Sequence, residues 1–138
     1  MKPRIHVLTL GVADLERSLK FYRALGLESP GIIGTEWPGD DKNPAGDVAM
    51  FQLDNDLVLA VYPDLAKDAN IAPPAGSGAF SIGHIVPSKS EVDRILTDAA
   101  AAGATITDQP HDRAWGIYSG YFADPDGHLW EVIYNPQS

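Results

Sequence analysis

Glu131 lies in LWEVIY, a run of aliphatic, aromatic and β-branched residues that reads as a strand. Alternation places Leu129, Glu131 and Ile133 on one face and His128, Trp130, Val132 and Tyr134 on the other. Neither face is plainly polar, so both are expected to be covered. An ionised carboxylate is costly there unless it meets a cation, hydrogen-bond donors or a wet cavity. Two uses stay open for it. It is either an acceptor that orients a bound molecule or takes its proton, with a pKa raised by burial, or a structural carboxylate satisfied by neighbouring donors. Just upstream, Asp124, Pro125, Asp126 and Gly127 stand in the order of a type I turn, which makes YSGYFA and LWEVIY the arms of a hairpin. If a four-residue turn pairs Phe122 with Leu129, Tyr118 shares the face of Glu131. Trp115 and Tyr118 then border the carboxylate, Gly116 and Gly120 leave room beside that strand, and Trp37 in the loop GTEWPGDDKNPAG is a third aromatic candidate. Each serves packing as readily as ligand contact, and Trp130 and Tyr134 are assigned to packing.

The elements that must position these residues recur in one order. IHVLTLGV reads as a strand and ADLERSLKFYRALGL as a helix, with Asp14 as N-cap and Gly26 as its stop. DVAMFQL and LVLAVYP follow as a hairpin. DLAKDANIAPPAGSG has the Pro and Gly of a connector rather than of a strand or helix. The order then repeats. FSIGHIV is a strand, and SKSEVDRILTDAAAAGA a helix with Ser88 and Glu91 spaced as a capping box and Gly103 as the stop. ATITDQP and the final hairpin complete the set. Overlaying the halves sets Val12 on Val86 and LVLAVY on LWEVIY. The expected fold is α+β, two βαβββ modules forming curved mixed sheets around a cavity, in a single domain over 1–138. Module one spans about 4–64, a connector about 65–78 and module two about 79–136. The alternative is a split α+β sandwich with a chance repeat.

Composition removes several functions. A net charge of −9 with no basic run opposes nucleic acid or an anionic membrane as partner. No cysteine is present, which excludes disulfides, thiolate nucleophiles and cysteine zinc sites, and suits a cytoplasmic location. MKPRIHVLTLGV reads as strand rather than signal peptide, and no window approaches a membrane span. No phosphate-cradling glycine loop, dinucleotide fingerprint or Ser-His-Asp order is present.

HVLTLGVADLERSLKFYRALGL and GYFADPDGHLWEVIYNP resemble the two diagnostic ends of the vicinal oxygen chelate superfamily. That superfamily includes glyoxalase I, extradiol dioxygenases, fosfomycin-resistance thiol transferases and bleomycin-binding proteins. The resemblance covers essentially the whole chain and speaks to fold more than to activity. In the metal-using members of that superfamily a divalent ion is held by side chains, mostly His and Glu, from the first and last strands of each module, with open positions for a substrate's paired oxygens. The family's positions fall here on Val7, Leu59, Ser81 and Glu131, which leaves Glu131 as the one strong ligand. No cofactor is therefore expected. His6 and His84 stand an odd number of residues from those slots, facing a helix as packed structural histidines, and a divalent metal enters only if a register shift recruits one of them. His111, in the loop QPHDR, and His128 are read as solvent-side groups. Thr9 and Ser81 lie on the cavity face, where their hydroxyls bond a ligand or a water. What the resemblance implies is a protein that binds a small organic molecule in the inter-sheet cavity without a complete metal site, Glu131 orienting the ligand or acting as base, with Thr9, Trp37, Ser81, Trp115 and Tyr118 lining it. The alternatives are a metal-dependent lyase, thiol transferase or dioxygenase, and a non-catalytic drug-binding dimer. A homodimer is expected.

Overall fold

The computed structural model describes residues 1–41, 43–73 and 78–137, so part of the expected connector, Pro74 to Ser77, lies outside the described residues. The chain divides into two compact units, Met1–Ala75 and Gly76–Ser138. Each holds a four-stranded, open mixed sheet of the same topology. No helix among the described residues is long and apolar enough to cross a membrane.

In the first unit the strands are β1 (Val7–Gly11), β2 (Ile32–Ile33), β3 (Val48–Gln52) and β4 (Val58–Tyr62), in the order β1-β4-β3-β2. β1 runs parallel to β4, and the other pairs are antiparallel. Helix α1 (Leu15–Ala24) starts at Asp14, whose Oδ1 accepts from Arg17 N at 3.1 Å. It stops at Gly26, where φ is +102°. Its buried stripe of Leu15, Leu19, Phe21 and Tyr22 packs on the sheet, with the Tyr22 and Phe51 ring centroids 5.8 Å apart. Phe51, Leu59 and Val61 beneath it are fully buried, each worth about 1.5–3 kcal/mol of transfer free energy. Helix α2 (Leu65–Asp68) is a single turn at the start of the expected connector, which the Pro and Gly content had concealed. β2 had no strand signal in the sequence, being only two residues long.

The second unit contains β5 (Ser81–Val86), α3 (Lys89–Ala102), β6 (Thr105–Asp112), β7 (Tyr118–Ala123) and β8 (Leu129–Tyr134), with sheet order β5-β8-β7-β6. Ser88 Oγ caps α3 by accepting from Glu91 N at 3.2 Å. The Glu91 carboxylate instead takes Arg94 Nη2 at 2.6 Å, so only half of the capping box forms. Gly103, at φ +113°, ends the helix. Val92, Leu96 and Ala99 of α3 are buried, as are Val86, Phe122 and Val132 of the sheet beneath, and Trp130 stacks on Phe122 at 6.0 Å. That face belongs to the helix, and Glu131 is on the other.

Two registers differ from the sequence reading. At the hairpin, Gly127 N donates to Asp124 O at 2.9 Å and Asp124 N donates to His128 O at 2.9 Å, while Gly127 sits at φ +89°. This is a type I turn followed by a glycine bulge, one residue longer than a bare four-residue turn. Ala123 therefore pairs with Leu129, and Phe122 with Trp130. A one-residue slip turns every side chain of the arm over. In β6, register shifts fall between Ile106 and Asp108 and between Asp108 and His111, around Pro110, which has no N–H to give a ladder. His111 and Asp112, expected in a loop, belong to this irregular edge strand. A Cβ on Gly120 would come within 2.9 Å of Pro110 N, so the glycine admits the bulged backbone rather than leaving a space for a ligand.

Candidate functional site

Glu131 is half-buried on the sheet face opposite α3, among Ser81, Gly83, Ile85, Leu129 and Ile133, since its strand partner is Gly83 in β5. Across the other ladder its partner is Tyr121, with Ser119 next on the same face. Ser119 is fully buried and donates its hydroxyl to Glu131 Oε2 at 2.7 Å. Tyr121 stands across the ladder from Glu131, and burial first, then its interaction with that carboxylate, pushes the phenol pKa above the ordinary tyrosine value. Arg113 closes the group from behind. Its Nε donates to Ser119 Oγ at 2.5 Å, its Nη2 donates to Asp108 Oδ2 at 2.8 Å and to Ser119 O at 3.2 Å, and its guanidinium lies 5.4 Å from the centre of the Tyr121 ring. Asp108 Oδ2 also meets His111 Nε2 at 3.1 Å. The bonds to Arg113, then to His111, hold the Asp108 carboxyl below its usual range.

Sequence reasoning named Glu131 in this group and missed Ser119, Tyr121, Arg113 and Asp108. Counting the glycine bulge after DPDG would have found Ser119 and Tyr121. Nothing local marks Arg113, whose reach depends on the bulges of β6.

Tyr118 is corrected: its partner is Tyr134, so it shares the α3 face and not that of Glu131. Its hydroxyl donates to Asp93 Oδ1 on α3 at 2.6 Å, and Lys89 Nζ lies 5.5 Å from its ring centre. That bond, with lesser help from burial and the negative charges of Asp93 and Asp112, pushes its pKa up to about 12. Trp115 is 86% exposed at the tip of a tight turn, Ala114–Gly116, and holds φ +60°. The turn is fastened by Arg113 N donating to Ile117 O at 2.7 Å. Ser81 is exposed at the start of β5 on the Glu131 face. Thr9 and Trp37 belong to the first unit. Thr9 is half-buried on the face away from α1, paired with Ala60, and Trp37 is 52% exposed in its loop, N donating to Gly34 O at 3.1 Å.

The internal overlay also shifts. Leu59 pairs with Leu8 and Phe51 and is fully buried on the α1 face, so it does not match Glu131. With Val12 kept on Val86, Thr9 corresponds to Gly83, and the strand partner of Thr9 is Ala60. Ala60 takes the place that Leu59 was expected to hold. His84, partnered by Val132, points to the α3 side but is exposed rather than packed. His6, just before β1, is exposed too, and its carbonyl accepts from Val58 N at 2.9 Å. His128 is half-buried beside the turn. Among the described residues no three His, Asp or Glu side chains gather closely enough to hold a metal ion. Val7 and Ala60 have no donor atom, Ser81 has a neutral hydroxyl, and Glu131 accepts from Ser119 at Oε2. In neither unit, taken by itself, do these positions supply the His and Glu of a chelated divalent ion.

The sequence profile of the Glyoxalase/Bleomycin resistance protein/Dioxygenase superfamily matches residues 4–132. The metallothiol transferase FosB of Shouchella clausii (strain KSM-K16) is 29% identical over 132 residues, which cover 93% of this chain and 77% of that protein. A glyoxalase-related enzyme from Fulvimarina pelagi superposes with a TM-score of 0.77 at 31% identity, over 98% of this chain and 90% of its own. A glyoxalase/bleomycin resistance protein/dioxygenase from Nocardioides does so with a TM-score of 0.71 at 26% identity, over 97% and 84%. The repeated sheet topology, the chain-long match and these likenesses agree, and the chain belongs to the glyoxalase/bleomycin resistance protein/dioxygenase superfamily.

Proposed function

We propose that the chain binds a small organic molecule on the Glu131 face of its second sheet without a complete metal-chelating set. One observation carries this reading: the Glu131 carboxylate is oriented by Ser119, with Arg113 behind it, while the other family positions have no imidazole or carboxylate. The Ser119 hydroxyl leaves the carboxylate with unused lone pairs. The apolar neighbours Ile85, Leu129 and Ile133 supply a surface for the organic part of the ligand. If the ligand reacts, Glu131 is the group that takes or returns a proton.

The test pairs metal analysis with a binding screen. Protein purified without chelator is expected to contain metal well below one equivalent. Thermal shifts caused by bound small molecules should survive EDTA and disappear in Glu131→Gln. One equivalent of metal, released by that substitution, would overturn the reading in favour of a metal-dependent lyase, thiol transferase or dioxygenase. The thiol-transferase alternative has specific support in the 29% identity to FosB. It would need His6 or His84 to supply the missing imidazole, and both are exposed. Self-association is part of the proposal: Val7 and Ile85 are 51% and 58% exposed apolar side chains on these sheet faces, and a dimer by light scattering is the expected result.

A further inference from the structure

The polarity of each hydrogen bond around Glu131 can be assigned from donor chemistry. A guanidinium only donates, so Ser119 Oγ must accept from Arg113 Nε, and the one hydroxyl proton is left for Glu131 Oε2. Ser119 is fully buried, which gives that proton no water to turn to. Tyr121, the cross-strand partner of Glu131, places its ring on the same face from the neighbouring strand. Arg113 cannot double as an anion site through its Nε and Nη2 groups, because they are taken by Ser119 and Asp108. We infer that Arg113, acting through Ser119, holds Glu131 oriented as an acceptor, so that the ligand of this face presents a hydrogen-bond donor, a protonated nitrogen in first place, to Glu131. This rests on the function proposed above and narrows its ligand class. A carboxylate or phosphate aimed at Glu131 would meet lone pairs and like charge. An ammonium or amidinium group carried on an apolar body meets an oriented carboxylate beside Ile85, Leu129 and Ile133. Arg113 is thus a positioning residue.

The experiment has two arms. In the first, tyrosine Cζ is labelled with carbon-13 and the Tyr121 resonance is titrated in ligand-free protein, which separates this arm from the metal and binding tests of the proposed function. Arg113→Gln removes the positive charge beside the ring, so the Tyr121 midpoint moves up. Arg113→Lys, which keeps a cation but replaces the two-nitrogen fork to Ser119 and Asp108 with a single nitrogen, falls between. Glu131→Gln, which preserves shape and removes the charge, moves the midpoint down. An unchanged midpoint in the folded Arg113 variants, or in Glu131→Gln, overturns the inference. In the second arm, benzylamine and benzoate, matched in ring and size, are titrated at physiological ionic strength while the same resonance is followed. Benzylamine is expected to bind at least about tenfold more tightly than benzoate, and Glu131→Gln to abolish the difference. Benzoate binding as well as benzylamine, a preference that survives Glu131→Gln, or no response to benzylamine would overturn the assignment.

Discussion

Tyr121 and Glu131 are direct cross-strand partners in β7 and β8, so the phenol and the carboxylate share one sheet face. Tyr118, three residues earlier, lies on the opposite face and bonds Asp93 instead. The single glycine bulge at Gly127 decides which of the two tyrosines meets the acid.

That bulge should be sensitive to its turn residues. Asp124 is buried and its Oδ1 accepts from Asp126 N at 3.0 Å and His128 N at 2.9 Å. Asp124→Ala leaves two backbone donors without their acceptor and is expected to cost about 1–3 kcal/mol in urea unfolding. Asp124→Asn, which keeps the acceptor oxygen, should recover most of it.

Ser119 is the buried link between Arg113 and Glu131. Ser119→Ala should destabilise by about 2 kcal/mol, because it strands a guanidinium N–H and removes a donor from a carboxylate. In a double-mutant cycle with Glu131→Gln the losses should be non-additive, since both substitutions break one network.

The Tyr118 hydroxyl sets a pH dependence. Its folded pKa, about 12, exceeds the unfolded value of 10.0. A tyrosine whose pKa is raised on folding contributes stability that is full below the unfolded pKa and is lost as pH rises through the folded one. Wild type should therefore be more stable than Tyr118→Phe below pH 10, and the gap should close between 10 and about 12, measured as the difference in denaturant midpoints.

Trp115 is 86% exposed with φ +60°, a left-handed conformation that disfavours a large side chain. Trp115→Gly should leave stability unchanged or raise it by up to about 1 kcal/mol, because little packing is lost and strain is released. If the indole contacts ligand, the same variant should weaken binding while its melting temperature holds.

Leu59 separates the two registers of the internal overlay. It is fully buried under α1, opposite Phe51, so Leu59→Ala is expected to cost about 2–5 kcal/mol in equilibrium unfolding. A loss below 1 kcal/mol would return Leu59 to the open face.

The sequence by itself determined the features set by near neighbours. The Asp14 cap, the Gly26 and Gly103 stops, the DPDG turn and most of the strands follow from side chains acting within a few residues of their own backbone. Glu131 too was legible, because a charge inside an apolar alternating run is anomalous wherever the strand is placed. Tertiary structure decided phase and company. Strand phase has period two, so the bulge at Gly127 and the exchange of Leu59 for Ala60 each reversed an assignment that local spacing left one residue from correct. Arg113 and Asp108 reach Glu131's partners only because a bulged edge strand carries them there, and no short window of sequence contains that path.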